Sequence, residues 1–163
     1  MTLTLEWGTI AEARAAGIED MLALQWEEIN DERERIPLAI DWPSYFAVER
    51  QGFLKVLLLR KDGQLIGYSV WFVRKPLHHR LATWAINDFV YVEPEHRKGR
   101  TGVFLIKEGE RMLRTLDVQA INYNVKPERE KGGLGYQRGR DSVGFLLARL
   151  GYAHTESAWT KYF

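Results

Sequence analysis

The alternation of apolar and polar residues predicts four β-strands in the first part of the chain. Residues 2–7 alternate and predict a half-buried first strand. Residues 53–60 and 65–73 are apolar and β-prone, and an Asp-Gly pair between them is a strong hairpin signal. Residues 81–92 continue as another strand after a loop. The last three of these strands follow one another and most simply pair as an antiparallel meander.

The helical spacing of apolar residues predicts the helices that accompany these strands. Residues 18–35 carry an apolar stripe opposite an acidic face, and Pro37 ends this helix. Asp41 is a suitable cap for a second, shorter helix. Apolar residues between 104 and 116 mark one face of a third helix, and residues 119–125 return as a strand. This strand, helix, strand order implies a right-handed crossover with parallel pairing.

The last part of the chain is predicted to contain a loop, a helix and a closing strand. Residues 126–140 are polar and hold four glycines, which is typical of a long loop. Residues 142–150 predict a helix closed by Gly151, and residues 153–163 predict a strand. The whole pattern predicts a mixed α/β (α+β) fold in which an antiparallel meander precedes a βαβ crossover, as a single domain over residues 1–163.

Composition excludes several classes of function. The 23 basic and 22 acidic residues nearly balance, which argues against a general polyanion binder, so no nucleic-acid partner is expected. The absence of cysteine excludes disulfides, thiol nucleophiles and cysteine metal sites. The longest apolar run, residues 56–59, is far too short to span a membrane, and the start of the chain lacks the features of a secretion signal. We therefore expect a soluble, cytoplasmic protein without a membrane partner.

Residues 88–102 form the most informative stretch, because a buried strand runs there into a basic, glycine-containing turn that opens a helix. A helix N-terminus has N–H groups without intrahelical partners and a partial positive charge, so such a turn can bind phosphate oxygens. A purely structural turn is the alternative. The turn lies after the meander and before the crossover helix. This position favours a ligand site, because ligands bind where the strand order of an open sheet reverses.

This stretch resembles the phosphate-binding motif of the GNAT superfamily of acyl-CoA-dependent N-acetyltransferases. In that family a strand ending in apolar, apolar, Val leads to Arg-x-x-Gly-x-Gly or Gln-x-x-Gly-x-Ala. Residues 144–152 are similar to the family's helix that ends in Leu-Gly-Phe or Leu-Gly-Tyr. With the strand order, the resemblance covers essentially the whole chain and implies a GNAT-like mixed central sheet with helices on both faces. The residues that match the phosphate motif are Val90, Tyr91, Val92, Arg97, Lys98, Gly99, Arg100, Thr101 and Gly102.

A narrower likeness connects the chain with small acetyltransferase-like proteins encoded by tailed phages. It rests on short matches outside the phosphate motif as well as within it. These matches are Ile36-Pro37-Leu38, Asp41-Trp42, Gly67-Tyr68, His78-His79 and Arg97-Lys98-Gly99.

The GNAT resemblance implies acetyl-CoA as co-substrate, no metal, and transfer of an acetyl group to a primary amine by direct attack. The amine belongs to a small molecule or a protein, and the fold does not choose between them. The resemblance places acyl-CoA along the main chain of Val90, Tyr91 and Val92 and its pyrophosphate on the turn from Lys98 to Val103. A homodimer is left open.

Two departures from the family pattern bear on this chemistry. Arg100 stands where the family has glycine, with Gly99 one place earlier, so either the cradle is rearranged or Arg100 contacts the phosphates as a bidentate donor. Leu147 stands where many members have the tyrosine that protonates the leaving thiolate. The acid would then come from elsewhere, come from water, or be dispensable.

Asp88 matches an acidic position that some GNAT members carry on this strand, and it is the candidate base, acting directly or through water. A structural aspartate that caps a bulge or pairs with a loop arginine is the alternative. His79 is a second candidate base and His78 a substrate contact, because histidine titrates near working pH. Ordinary surface histidines are the alternative there. Trp42, which a core role explains poorly, is a candidate contact for the acceptor.

The sequence also bears on metal binding and on two functions other than catalysis. No metal site is expected, because His96 and His154 show no ligand spacing with nearby carboxylates. Leu147 also favours a second class of function, a non-catalytic module that binds acyl-CoA or another phosphate-bearing ligand. A third alternative is a scaffold that keeps only the fold and works through a protein interface.

Overall fold

A computed structural model describes residues 2–29, 36–125 and 143–155. The chain forms two compact units, residues 1–124 and residues 125–163. The single-domain organisation stays a prediction. Among the described residues, no helix is long and apolar enough to cross a membrane.

The first unit is built on a five-stranded mixed sheet, counted over the residues described. Its strands lie in chain order: β1 (Leu3–Gly8), β2 (Leu54–Lys61), β3 (Gln64–Arg74), β4 (Trp84–Val92) and β5 (Ala120–Asn122). Strands β1 to β4 pair antiparallel, and β5 pairs parallel to β4. The predicted meander followed by a crossover is confirmed.

Four helices in the described residues of this unit connect or precede the strands. They are α1 (Ile10–Ala15), α2 (Ile18–Ile29), α3 (Trp42–Arg50) and α4 (Thr101–Arg114). Helix α1 is absent from the sequence prediction, although Thr9 and Glu12 form a capping box that the Thr-x-x-Glu spacing encodes. The second unit contains α5 (Val143–Arg149).

Helices cover both faces of the sheet, as the resemblance implied. Successive residues of β2 point to opposite faces and feed two cores. On one face, α1, α2 and α3 pack against the sheet, with buried Ile10, Ile18, Met21, Leu22, Leu54, Val56, Leu58, Tyr68 and Val70. On the other face α4 covers it, with buried Leu57, Leu59, Ile66, Trp71, Leu105, Met112 and Leu113.

Some predicted elements differ from the structure or lie beyond it. Strand β4 begins at Trp84 and not at residue 81, because two successive turns carry the chain through residues 76–82 and leave Leu81 88% exposed. The predicted extension of α2 through residues 30–35 and the glycine-rich loop lie outside the described residues. Residues 153–155 form no strand, and residues 156–163 lie outside the described part.

Candidate functional site

A β-bulge at Asp88 organises the candidate site. In the register of β3 with β4, Val70 lies opposite Phe89 and Trp71 lies opposite Asn87, so Asp88 is an extra residue without a partner. A bulge redirects a side chain and bends its strand. Asp88 therefore occupies a position set by the pairing of two strands.

Two asparagine side chains secure the main chain around this bulge. Asn87 is 2% exposed, and its amide donates to the carbonyls of Val70 at 3.1 Å and Phe89 at 2.9 Å. Asn124 donates from Nδ2 to the carbonyl of Asn87 at 3.1 Å. Carbonyl groups that the bulge takes out of the strand ladder are thus satisfied by side chains.

Strand β4 has an open side beyond the bulge. Its pairing with β5 ends at Ile86, and no other strand of the described ranges pairs with that side of residues 88–92. Glu93 donates from its N–H to Ile66 of β3 at 2.9 Å. Because main-chain groups alternate between the two sides of a strand, Val90 and Val92 face the open side and Tyr91 faces β3.

Side chains already occupy the two carbonyls of the open side. Gln25 of α2 donates from Nε2 to the Val90 carbonyl at 3.1 Å, and it accepts a hydrogen bond from the buried Tyr68 hydroxyl. Arg97 donates from Nε to the Val92 carbonyl at 2.7 Å. The resemblance placed acyl-CoA along Val90, Tyr91 and Val92, and of these three Val90 and Val92 have main-chain groups on the open side.

The turn after β4 leads to the N-terminus of α4. A single 3-10 turn, Pro94–His96, comes first, and Gly99 then has φ +86°, a conformation that strains residues with side chains. The first intrahelical hydrogen bond runs from the Phe104 N–H to the Arg100 carbonyl at 2.8 Å. The N–H groups of residues 101–103 precede that bond and lack intrahelical partners.

The glycine and arginine that are exchanged relative to the family motif have a conformational explanation. Gly99, rather than residue 100, takes the left-handed conformation in this turn, and Arg100 is the N-cap of α4 at φ -106°. The Arg100 side chain makes no capping hydrogen bond. Lys98 and Arg100 are both exposed and form no ion pair with any residue in the described ranges. Two exposed cations therefore come shortly before these N–H groups in the chain.

Arg97, the first residue of the motif, is bonded to other residues of the protein. Besides its bond to Val92, it donates from Nη2 to Glu28 Oε2 of α2 at 2.7 Å. Its guanidinium also lies 5.0 Å from the centre of the Tyr91 ring. In this arrangement Arg97 ties α2 to the end of β4, whereas Lys98 and Arg100 form no such ion pair with the described residues.

The carboxyl group of Asp88 is partly buried and bonded to a tyrosine. Tyr45 of α3 donates from its hydroxyl to Asp88 Oδ2 at 2.6 Å. Burial raises the pKa of Asp88, and the hydrogen bond from Tyr45 lowers it by less. Burial and then the contact with Asp88 raise the pKa of Tyr45, so the shared proton stays on the phenol. A carboxyl group with a raised pKa is a candidate base.

The other residues proposed for the acceptor side are placed apart from this pair. His78 and His79 lie in the exposed loop before β4, and the His79 ring stacks on Trp84 at a centroid distance of 5.5 Å. Trp42 is the first residue of α3 and not part of a connection, because Asp41 caps the helix through Ser44. The Arg14 guanidinium already lies 4.8 Å from the Trp42 ring centre. The structure brings none of the three into contact with Asp88.

The sequence indicated no ligand spacing between His96 and nearby carboxylates, and the structure corrects this for His96. His96 Nε2 lies 3.4 Å from Glu95 Oε1 and 3.9 Å from Glu93 Oε2, since the 3-10 turn brings these side chains together. The three offer ligand atoms within 4.8 Å of one another. Glu95 is 76% exposed, and the group is equally suited to ion pairing when His96 is protonated.

The second unit places Leu147 in α5, where it is buried. An aliphatic side chain has no acidic proton, so Leu147 cannot take the role of the tyrosine acid.

Sequence reasoning missed three residues of the site: Gln25, Tyr45 and Asn87. Gln25 follows Ile18, Met21 and Leu22 at helical spacing and is 6% exposed, so a polar residue on a buried stripe was the available signal. Asn87 gave a similar signal, as an amide within an apolar strand. Nothing in the local sequence singles out Tyr45.

The sequence matches no family model and no curated protein. Solved structures do match over their full length. One is the aminoglycoside acetyltransferase HMB0005 from an uncultured soil metagenomic sample, at 13% identity and TM-score 0.70, covering 100% of this chain and 99% of that one. Another is the ribosomal-protein-alanine N-acetyltransferase from Brucella melitensis biovar Abortus 2308, at 16% identity and TM-score 0.65, covering 99% of each chain.

A third similar structure is AAC(6')-Iy in complex with the bisubstrate analog CoA-S-monomethyl-acetylneamine, at 13% identity and TM-score 0.62, covering 100% of this chain and 99% of that one. At these identities the similarity concerns the fold. It agrees with the mixed five-stranded sheet and its helices described above. The chain has the fold of the GNAT acetyltransferases.

Proposed function

We propose that this protein binds acetyl-CoA along the open side of β4 and transfers the acetyl group to a primary amine. One observation carries the proposal: the open side runs from a partly buried carboxyl group at Asp88 to the free N-terminus of α4. The similar structure of AAC(6')-Iy holds a CoA-containing analog, which supports this choice of ligand.

The turn into α4 is suited to the pyrophosphate. The N–H groups of residues 101–103 precede the first intrahelical hydrogen bond and point out of the helix end, where the helix dipole favours an anion. Lys98 and Arg100 add two exposed charges beside them. Arg100 supplies bidentate hydrogen bonds that the glycine of the family motif does not.

The open side of β4 is suited to the thioester end. Val90 and Val92 face that side, so their N–H groups are positioned as donors to an extended ligand or to a thioester carbonyl. Their carbonyl groups are held by Gln25 and Arg97. Binding through the carbonyls therefore requires these side chains to move, whereas binding through the N–H groups does not.

The transfer then needs a neutral amine and a base. The amine nitrogen attacks the thioester carbon, the C–N bond forms, and the C–S bond breaks with the electron pair leaving on sulfur. Asp88 takes the proton that the amine loses, directly or through one water molecule. Because Leu147 cannot donate a proton, we infer that water protonates the thiolate.

The acceptor is proposed only as a primary amine. The similar structures include an enzyme named for aminoglycosides and one named for the alanine of a ribosomal protein. Such different acceptors on one fold show that the fold does not determine the amine.

A second candidate is a module that binds acyl-CoA without turning it over. Leu147 in place of a proton donor favours it, as do the two open-side carbonyls that are already bonded within the protein. The two candidates share the ligand and differ only in the release of free thiol.

Calorimetry with acetyl-CoA, followed by a thiol-release assay with amines, peptides and proteins, tests both. We expect binding by the wild type and by Gly102→Ala, and none by Gly102→Asp, which places a negative charge at the helix N-terminus. No binding by the wild type would overturn both candidates. Binding without thiol release across the panel would overturn acetyl transfer and support the module that binds acyl-CoA without turning it over.

A further inference from the structure

Tyr45 and Asp88 come from distant parts of the chain and meet through one bond. They are 43 residues apart, on α3 and on the β4 bulge, and the Tyr45 hydroxyl lies 2.6 Å from Asp88 Oδ2. Asp41 caps the N-terminus of helix α3 by accepting a hydrogen bond from the Ser44 N–H at 3.1 Å. The Tyr45 ring packs against Trp42 at a centroid distance of 5.9 Å. The capped helix α3 and the contact with Trp42 thus fix the position of the Tyr45 phenol.

The bond uses only one of the two oxygens of Asp88. Oδ2 accepts from Tyr45, and no residue in the described ranges donates to Oδ1. A carboxylate whose rotation is fixed through one oxygen presents the other in a defined direction. That arrangement suits a base, because a proton must be accepted at a particular position near the reacting nitrogen.

The surroundings of Asp88 give the phenol an electrostatic role as well. The titratable groups that face Asp88 are Tyr45 of α3 and Tyr68 of β3, and no cation of the described residues pairs with it. A partly buried carboxylate without a cation depends on hydrogen-bond donors for its stability. Tyr45 is the donor that the structure provides.

We propose that Tyr45 is a positioning residue that holds Asp88 as the base, with Oδ1 directed to the acceptor amine. The proposal rests on the proposed acetyl transfer and adds a residue that the GNAT resemblance did not supply. If the bond only ties α3 to β4, loss of the hydroxyl lowers stability and moves the titration of Asp88, but it leaves the pH profile of turnover unchanged.

The first test measures Asp88 without any substrate. Carboxyl ¹³C resonances are titrated in the wild type, in Tyr45→Phe and in the control Tyr68→Phe, with Asp88→Asn to assign the signal. Tyr45→Phe is expected to move the Asp88 titration to higher pH, because the donor that favours the carboxylate is lost. Tyr68→Phe removes a phenol that bonds to Gln25 instead, and it leaves the titration near the wild-type position. An unchanged titration in Tyr45→Phe would overturn the proposal.

The second test uses turnover. Tyr45→Phe is expected to lower kcat/KM at pH 7 by about tenfold, less than the hundredfold or more expected for loss of the base itself, and to move the acid limb to higher pH. In an Asp88→Asn background, Tyr45→Phe should have no further effect on kcat/KM. An equal effect in both backgrounds would show that Tyr45 acts independently of Asp88, against the proposal.

The outcomes separate this proposal from the proposed function. Thiol release that survives Asp88→Asn would leave acetyl transfer standing and remove Tyr45 as a positioning residue. No thiol release by the wild type would count against both. If Tyr45→Phe does not fold, 3-fluorotyrosine is placed at position 45, where it keeps the hydroxyl and makes it a stronger donor, so the Asp88 titration should move to lower pH. An unchanged Asp88 titration would overturn the proposal.

Discussion

Asn124 and Asn87 are joined by one hydrogen bond where β4 and β5 separate, since Nδ2 of Asn124 lies 3.1 Å from the carbonyl oxygen of Asn87. The pairing of the two strands ends one residue earlier, at Ile86. The side chain of Asn124 therefore replaces the next strand contact, and the side chain of Asn87 serves the carbonyls on either side of the bulge. Side-chain amides, more than strand pairing, define the edge of the candidate site.

Asn87→Ala should destabilise the protein more than Asn124→Ala. Asn87 is buried and serves two carbonyls, so its loss leaves them unsatisfied at a cost of about 1–3 kcal/mol. Asn124 is exposed and water can replace its amide, so we expect about 1 kcal/mol or less. Urea unfolding of both variants measures this. A loss in Asn124→Ala that equals or exceeds the loss in Asn87→Ala would contradict the assignment.

The meander could be predicted because its signals are local. Apolar alternation, an Asp-Gly turn and the glycine-containing turn before α4 are each visible within a few residues. A bulge at Asp88 was only one of the alternatives that the sequence left open, because it exists only in the register of β4 with β3. The bond from Tyr45 to Asp88 and the bond from Gln25 to Val90 span 43 and 65 residues, and no local pattern specifies such contacts.

In the turn before α4, too, the sequence predicts local features but not contacts with distant residues. The sequence located the turn and identified Arg100 as a departure from the family motif. It could not show that Gly99, the glycine one residue earlier, takes the left-handed conformation. Nor could it show that Arg97 is bonded to Glu28, a residue of a helix far earlier in the chain.

Gly67→Ala and Gly109→Ala should change stability in opposite directions. A Cβ on Gly67 would lie 2.5 Å from the Tyr91 carbonyl oxygen and 3.2 Å from Val92 Cα, and main-chain atoms in a sheet cannot move aside cheaply. We expect a loss of about 1–3 kcal/mol or more. A Cβ on Gly109 meets only a Leu57 side-chain carbon at 3.4 Å and a Leu5 side-chain carbon at 3.9 Å, and alanine is favoured within a helix by about 1 kcal/mol.

Thermal and urea unfolding of the two variants side by side are the measurement. The comparison is informative because both substitutions add the same single carbon to unit 1. A Gly67→Ala variant as stable as the wild type would show that β3 and β4 are further apart than described.

Gln25 and Tyr68 should be energetically coupled. Gln25→Leu removes the acceptor of the buried Tyr68 hydroxyl as well as the donor to the Val90 carbonyl. Tyr68→Phe removes the hydroxyl alone. In the double variant no phenol is left unpaired, so the combined loss should be smaller than the sum of the single losses by about 0.5–3 kcal/mol. A double-mutant cycle in urea measures this, and additive losses would exclude the bond.

Arg97 should contribute to stability, whereas Lys98 and Arg100 should contribute to ligand binding. Arg97→Ala loses the bonds to Val92 and Glu28, so we expect about 1–2 kcal/mol less stability. Lys98→Ala and Arg100→Ala remove exposed charges and should leave stability within about 0.5 kcal/mol. Each should instead weaken acetyl-CoA binding by about tenfold at low salt, and by less at high salt.

Glu28→Ala provides the matched control for Arg97. It removes one of the two bonds of Arg97 without touching the turn, so it should reproduce part of the stability loss and little of any affinity loss. Calorimetry at two salt concentrations and urea unfolding supply the two readouts. If Arg97→Ala weakened acetyl-CoA binding as strongly as Lys98→Ala while Glu28→Ala did not, Arg97 would be a ligand contact after all.

The stability difference between Asp88→Asn and the wild type should depend on pH with a defined sign. Burial raises the pKa of Asp88 above its ordinary value of 3.8, more than the bond from Tyr45 lowers it. Between 3.8 and the raised pKa, the folded state holds the proton more tightly than the unfolded state does. As pH rises through that window the wild type loses stability, because the folded state must accept a partly buried charge.

Asparagine carries no charge and still offers an oxygen to the Tyr45 hydroxyl, so the Asp88→Asn variant lacks this loss and keeps the bond. The variant should therefore gain stability relative to the wild type as pH rises through the window, and the difference should be constant above it. Each tenfold difference in proton affinity between the folded and unfolded states is worth about 1.4 kcal/mol. The carboxyl groups with lowered pKa values, Glu12, Asp41 and Glu108, are common to both proteins and cancel in the comparison. Urea midpoints of both proteins across the acid range give the slope, and a slope of the opposite sign would mean that Asp88 is better stabilised as a carboxylate in the folded protein than in water.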